Sequence, residues 1–283
     1  MELDSIKGIL PGALAQAMER LDTTRIEELR LRCGNLPTVL ISGREQPLPG
    51  VRTGITSREL AQILSAATQY SSYSAEDSLR EGFVTLPGGH RIGLCGTAVT
   101  HAGQTASIRD LSSLCIRAAR QVRPAIPEPV SALGVSTLIL GPPGAGKTTL
   151  LRECVRRLSF QGRRVCVADE RGEVAACYRG VPQLDVGPHT DVLTGARKDA
   201  AIMRLLRTMN PEWIALDEIT APEDIAAMEQ ASYCGVRFLA TAHAACAGEL
   251  QKRPLYRRLC ALELFEILLV LTPDRQVRME RMR

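Results

Sequence analysis

An α/β fold is what this sequence predicts, with a parallel sheet and crossover helices following a smaller N-terminal α+β domain. Three observations carry that prediction. Short apolar runs alternate with helical patterns beyond residue 135, which is how parallel strands joined by helices read in sequence. The apolar run Thr137 to Leu140 leads straight into the glycine-rich stretch Gly141 to Gly146 and then into a helical stripe. Ahead of both, Pro124, Pro127 and Pro129 interrupt any regular element and set this half apart from a segment of alternating strand patterns. The resulting division is residues 1–123 for the first domain, 124–134 for a linker and 135–283 for the second domain.

In the first domain a helical stretch is expected through Met18. After it, Leu29, Leu31 and Cys33 alternate with Arg30 and Arg32, as in a strand with one wet face. Gly34-Asn35 supplies a turn to a return strand over Thr38 to Ile41. Thr56 and Glu59 have capping-box spacing ahead of Leu60, Ile63, Leu64 and Ala67, which share one helical face. A Ser- and Tyr-rich helix or loop follows. Then Phe83 to Leu86 and Ile92 to Cys95 flank Pro87-Gly88-Gly89 as the arms of a hairpin.

In the second domain strands are expected over Thr137 to Leu140, Val165 to Ala168, Trp213 to Leu216, Val236 to Ala240 and Ile267 to Leu271. Leu150, Leu151, Cys154, Val155 and Leu158 form one helical stripe, ended by Gly162, and Ile202, Leu205, Leu206 and Met209 form another, stopped by Asn210-Pro211. Thr220 and Glu223 repeat the capping-box spacing for a helix running toward Tyr233.

Composition narrows the function. A net charge of +4 over 283 residues, with 4% aromatic residues, offers neither a strong basic field nor stacking platforms, so no nucleic-acid partner is expected. Nine cysteines without a C-x-x-C pair suit reduced thiols in a cytosol, and Cys33, Cys95, Cys166 and Cys260 read as small core residues. No signal peptide is evident, and no apolar run approaches the roughly 20 residues that span a bilayer. A cytoplasmic protein without a transmembrane segment is therefore expected, able to dock on a membrane complex.

The chemistry starts at the glycine-rich stretch. Gly141, Gly146, Lys147 and Thr148 fill every fixed place of the phosphate-loop pattern G-x-x-x-x-G-K-[ST]. Backbone N–H groups along Gly141, Pro142, Pro143, Gly144, Ala145, Gly146, Lys147, Thr148 and Thr149 are thereby expected around a nucleotide's phosphates, prolines excepted, with Lys147 as a point charge and Thr148 as a Mg²⁺ ligand. In an open α/β sheet the ligand sits at the carboxyl ends of the strands, so polar residues there are the remaining candidates. Asp217 is expected on the Mg²⁺ shell opposite Thr148, and Glu218 beside the attacking water. Asp169 and Glu170 are further catalytic candidates, although an acidic pair after a strand also reads as a helix cap. His243 is a candidate γ-phosphate sensor, or a satisfied core histidine.

Together these segments resemble the secretion-ATPase superfamily, the hexameric motors of type II and type IV secretion and of pilus retraction. Its phosphate loop matches Gly141 to Thr149, its acidic box Asp169 to Glu173, its second nucleotide motif Leu216 to Glu218, and its histidine box Thr241 to Ala244. Within it the chain is most similar to the stage III sporulation AA family, on GFVTLPGGHRIGLCGTAV, VADERGEVA, LLRTMNPEWIALDEI and TAHA. The resemblance implies a RecA-like P-loop NTPase core, ATP and Mg²⁺ as cofactors, and a homo-hexamer. It also implies an ATPase in the mother-cell cytosol, peripheral at a complex of membrane-embedded sporulation channel proteins that joins mother cell and forespore. Motors of this kind close their sites between domains and between subunits, which makes Arg91, Arg109 and Arg117 candidates for an arginine acting in trans. One departure is Asp217-Glu218, where classical secretion motors usually have Gly-Glu. Two alternatives accompany this reading: a nucleic-acid motor of the same core fold, and a module that binds ATP to order an assembly with little hydrolysis.

Overall fold

The computed structural model of the protein describes residues 3–69, 82–101, 104–124, 134–272, 274 and 276–282. The expected Ser- and Tyr-rich element and most of the linker lie outside them. The chain forms two compact units, one of residues 1–120 with 176–184 and one of residues 121–175 with 185–283.

The first unit opens with α1 (Asp4–Ile9) and α2 (Gly12–Glu19) where one helical stretch was expected. Pro11 is the reason. A residue before proline is driven out of the helical region, and Leu10 is extended with ψ 145°. Six strands follow in the spatial order β3-β2-β1-β6-β5-β4. They are β1 (Ile26–Arg32), β2 (Thr38–Ile41), β3 (Arg44–Pro47), β4 (Phe83–Thr85), β5 (Arg91–His101) and β6 (Gln104–Arg117). Every pairing is antiparallel, with Arg30 opposite Thr38 in one hairpin and Thr85 opposite Arg91 in the other, as the turn residues predict.

Helix α3 (Ser57–Gln69) covers one face of this sheet, and its Leu60 and Ile63 join Leu29, Leu31, Ile92 and Ile116 in a single core. Its capping box is reciprocal: Glu59 Oε2 accepts from Thr56 N at 2.8 Å and Thr56 Oγ1 from Glu59 N at 3.2 Å. Cys33 and Cys95 are exposed, contrary to the core expectation. Cys95 follows the buried Leu94 and so points to the other face, and Cys33 lies one residue past the end of β1.

The second unit carries a seven-stranded sheet in the order β13-β12-β7-β11-β10-β8-β9. Its strands are β7 (Thr137–Leu140), β8 (Val165–Asp169), β9 (Thr190–Thr194), β10 (Trp213–Leu216), β11 (Arg237–Ala242), β12 (Ile267–Leu271) and β13 (Val277–Arg281). All neighbours are parallel except β12 and β13. β7, β8 and β10 are buried at every residue, which is why they read as continuous apolar runs. The helices are α4 (Lys147–Phe160), α5 (Lys198–Met209), α6 (Pro222–Ser232), α7 (Ala247–Leu250) and α8 (Pro254–Ala261).

Two boundaries differ from expectation in ways that matter to the site. β11 continues to Ala242, so Thr241 belongs to the strand and its backbone is fixed by pairing with Ile139 on β7. At α6 the capping acid is Asp224, not Glu223: Asp224 Oδ2 accepts from the N–H groups of Thr220 and Ala221, both at 3.1 Å. Pro222 at the first helical turn sets the helix start there, which moves the N3 position one residue along.

Candidate functional site

Four neighbouring strands, β7, β11, β10 and β8, end side by side in this sheet. Their carboxyl ends therefore bring together segments far apart in the chain: the phosphate loop, Thr241 to His243, Asp217-Glu218 and Asp169. Packing fixes the loop at its start, since a Cβ on Gly141 would lie 3.2 Å from Leu271 Cβ. At its end Gly146 caps α4 with φ 99°, a conformation that favours glycine.

Lys147 is buried, and its Nζ donates to Pro142 O at 3.0 Å and to His243 Nδ1 at 3.0 Å. An ammonium group only donates, so Nδ1 accepts and the ring proton sits on Nε2, which donates to Glu218 Oε1 at 2.7 Å. Glu218 Oε2 accepts from Arg171 at 3.3 Å. Burial lowers the Lys147 pKa, with the charges of Glu218 and Asp217 opposing it.

A second chain of contacts runs beside the first. Thr148 Oγ1 donates to Asp217 Oδ2 at 2.6 Å, and Thr241 Oγ1 donates to Asp217 Oδ1 at 2.6 Å. Thr241 Oγ1 in turn accepts from Glu218 N at 2.8 Å. Glu218 itself sits at φ 55°, a left-handed conformation that costs a non-glycine residue about 1–2 kcal/mol. Asp217 and Glu218 thus face different partners from adjacent positions.

Asp169 is buried at the end of β8, and its carboxylate accepts from the N–H groups of Glu173, Val174 and Ala175 at 2.9, 3.1 and 2.9 Å. Burial raises its pKa, while those three donors pull it back down. Glu170 pairs with Lys198 Nζ at 2.5 Å. The acidic segment therefore divides, with Asp169 bonded to its own loop and Glu170 paired with the first residue of α5.

Three contributors carried no obvious signal. Arg152, buried on the inner face of α4, donates through Nε to Val174 O and through Nη2 to Glu173 O, bracing the loop that Asp169 holds. The Tyr256 hydroxyl accepts from His243 N at 3.2 Å and donates to Ile219 O at 3.4 Å. Lys198 is the third. An arginine four residues after Thr148, on an otherwise apolar helix, is the one cue that could have been read. Arg91, Arg109 and Arg117 lie in the first unit: Arg91 stacks 3.8 Å above the Phe83 ring, Arg117 pairs with Glu28 at 3.2 Å, and Arg109 lies 3.6 Å from Asp110.

A family model described as "Sporulation stage III, protein AA" matches residues 2–279. Stage III sporulation protein AA of Bacillus subtilis (strain 168) is 37% identical over 277 residues, which span 93% of this chain and 89% of that protein. Protein SEEDLING PLASTID DEVELOPMENT 1 of Arabidopsis thaliana is 32% identical over 124 residues, 43% of this chain and 18% of that protein. Among solved structures, the Legionella pneumophila ATPase DotB matches with a TM-score of 0.60 at 15% identity, covering 96% of this chain and 81% of that one. The pilus retraction motor PilT with bound ADP matches with a TM-score of 0.60 at 14% identity, covering 94% and 80%. At such identities the likeness speaks for the fold, which is RecA-like with a phosphate loop.

Proposed function

We propose, because the chain belongs to the family Sporulation stage III, protein AA, that it is a Mg²⁺-dependent ATPase powering or assembling a channel complex between mother cell and forespore. In this reading it works as a homo-hexamer in the mother-cell cytosol, peripheral to membrane-embedded sporulation channel proteins. Among the described residues no helix is long and apolar enough to cross a membrane, so membrane association would come through such partners.

The observation that supports this most is the double chain of contacts at the strand ends, Lys147–His243–Glu218 beside Thr148–Asp217–Thr241. Lys147 would present its ammonium to the outer phosphates, exchanging Pro142 O and His243 for phosphate oxygens. Glu218 would orient the attacking water and accept its proton, steadied by the Nε2–H of His243. His243, between Lys147 and Glu218, would respond in this reading to whatever lies on Lys147. Asp169, whose carboxylate is engaged by loop N–H groups, serves in this reading to shape the 173–175 backbone.

The residues fit a magnesium ion. Thr148 Oγ1 and Asp217 Oδ2 form an oxygen pair of the kind a hard cation takes with phosphate and water oxygens. Among the described residues no group of three or more His, Cys, Asp or Glu forms a competing metal site. When bound there, Mg²⁺ neutralises charge on the phosphates. The test is a pair of substitutions. Lys147→Ala should abolish ATP binding, whereas Glu218→Gln should keep binding and lose hydrolysis; hydrolysis at the parent rate in Glu218→Gln would overturn the assignment.

A further inference from the structure

We propose that the outer face of α8 is a docking surface for an acidic segment of a partner protein. Lys252, Arg253, Arg257 and Arg258 fall within seven residues, and all four are exposed. Among the described residues none of the four forms an ion pair with a carboxylate. Elsewhere in the same unit Arg157, Arg164, Arg171, Arg197 and Lys198 each have one, and exposed arginines without one among the described residues, such as Arg204 and Arg207, are not gathered four within seven residues. Lys252 and Arg253 also stand at the amino-terminal end of α8, where the helix dipole is positive and cations are disfavoured. Arg253 also lies 5.9 Å from the Tyr256 ring centroid, and Arg258 sits in the last turn, where a cation suits the dipole, so folding accounts for those two but not for bringing Lys252 and Arg257 beside them. An anionic partner does.

The inner face of the same helix is fixed. Tyr256 and Leu259 are buried, and the Tyr256 hydroxyl bonds to the backbone of His243 and Ile219. Arg257 and Arg258 are therefore carried on a helix that is already anchored, so little ordering of the backbone is needed on binding. Three of the four cations are arginines, whose planar forks pair carboxylates in a two-pronged way that lysine cannot match. A bilayer surface is the poorer match, because residues 251–261 include no large exposed apolar side chain to enter the membrane interface.

The experiment uses the full chain with two probes, fluorescent poly-L-glutamate and vesicles of equal parts phosphatidylglycerol and phosphatidylcholine. Binding is measured at low and moderate salt, so it does not depend on whether the protein hydrolyses ATP. Poly-L-glutamate is expected to bind with an affinity that falls as salt rises. The triple variant K252E/R257E/R258E should bind it on the order of tenfold more weakly or worse. R44E/R52E/R58E makes the same charge change at three exposed residues of the first unit and should bind like the parent. Unchanged circular dichroism in both variants separates lost binding from lost folding. Equal weakening in the two variants, no binding of poly-L-glutamate, or capture by the anionic vesicles alone would each overturn the proposal.

Discussion

Thr241 gives its hydroxyl hydrogen to Asp217 at 2.6 Å while its oxygen receives the amide of Glu218 at 2.8 Å, so one side chain fixes both acids. Thr241→Val keeps the shape and strand propensity but removes both bonds. A lost hydrogen bond to a charged group is worth about 1.5–3 kcal/mol, so turnover should fall about 10- to 100-fold. The Mg²⁺ concentration needed for half-maximal activity should rise. Parent values for both would show that Asp217 is held by other means.

Lys147→Ala and Glu218→Gln separate binding from chemistry. A fluorescent ATP analogue should fail to bind the first and should bind the second within a few-fold of the parent. The second should show turnover reduced on the order of 10²- to 10⁴-fold, the range for losing a general base. Equal loss of affinity in both would indicate that Glu218 acts on binding.

Much of this was legible in the sequence, and the gaps have a pattern. β7, β8 and β10 could be read because a strand covered on both faces needs an unbroken apolar run. β3, β9 and β13 were not foreseen, because edge strands exposed to water are polar, as Arg44–Pro47 and Thr190–Thr194 are. β6 was missed although it is central, because Arg109, Asp110, Ser112 and Ser113 interrupt its apolar pattern. At the candidate site, the glycine-rich loop could be read from its spacing, and Asp217-Glu218 from their place directly after an apolar run. Tyr256 and Lys198 could not, since their roles arise from how α8 and α5 pack, and no local pattern encodes that.

Asp169 gives a pH test. Burial raises its pKa above the ordinary 3.8, so the folded state holds that proton more tightly than the unfolded state. The resulting stabilisation is fully present below the ordinary value and is lost as pH rises through the raised one. Asp169→Asn carries no such proton. The unfolding midpoint of the parent, measured against that of Asp169→Asn, should therefore decline between the ordinary carboxylate range and neutral pH. A relative gain for the parent across that window would reverse the sign of the argument.

Thiol labelling checks the burial map. Burial pushes Cys154 and Cys166 up to about 12, so both remain protonated and shielded at neutral pH. A maleimide should modify Cys33, Cys95, Cys234 and Cys246 in the native protein and reach Cys154 and Cys166 only after denaturation. Rapid native labelling of Cys154 would contradict the packing of α4.

If in the proposed hexamer an arginine of one copy serves the nucleotide of the next, Arg109 is the first to test. Its ion pair with the neighbouring Asp110 is long at 3.6 Å, and both side chains are more than two-thirds exposed. Arg109→Ala should lower turnover on the order of 10³-fold and spare ATP binding. Mixing it with Lys147→Ala subunits should restore activity if it acts across copies. Full activity of Arg109→Ala alone would remove it.

Residues 176–184 cluster with the first unit although the chain on both sides of them belongs to the second. Gln183 in that excursion accepts from the backbone N–H of Gly88 at 2.8 Å, and a Cβ on Gly89 would lie 2.7 Å from Ala176 Cβ. No single break in the gene therefore yields two self-sufficient products. A fragment starting at Gln121 would keep an excursion cut off from the Gly88-Gly89 turn, while a fragment ending at Arg120 would lose the segment that covers that turn. Producing the second unit alone calls for an internal deletion in which a short linker replaces residues 176–184.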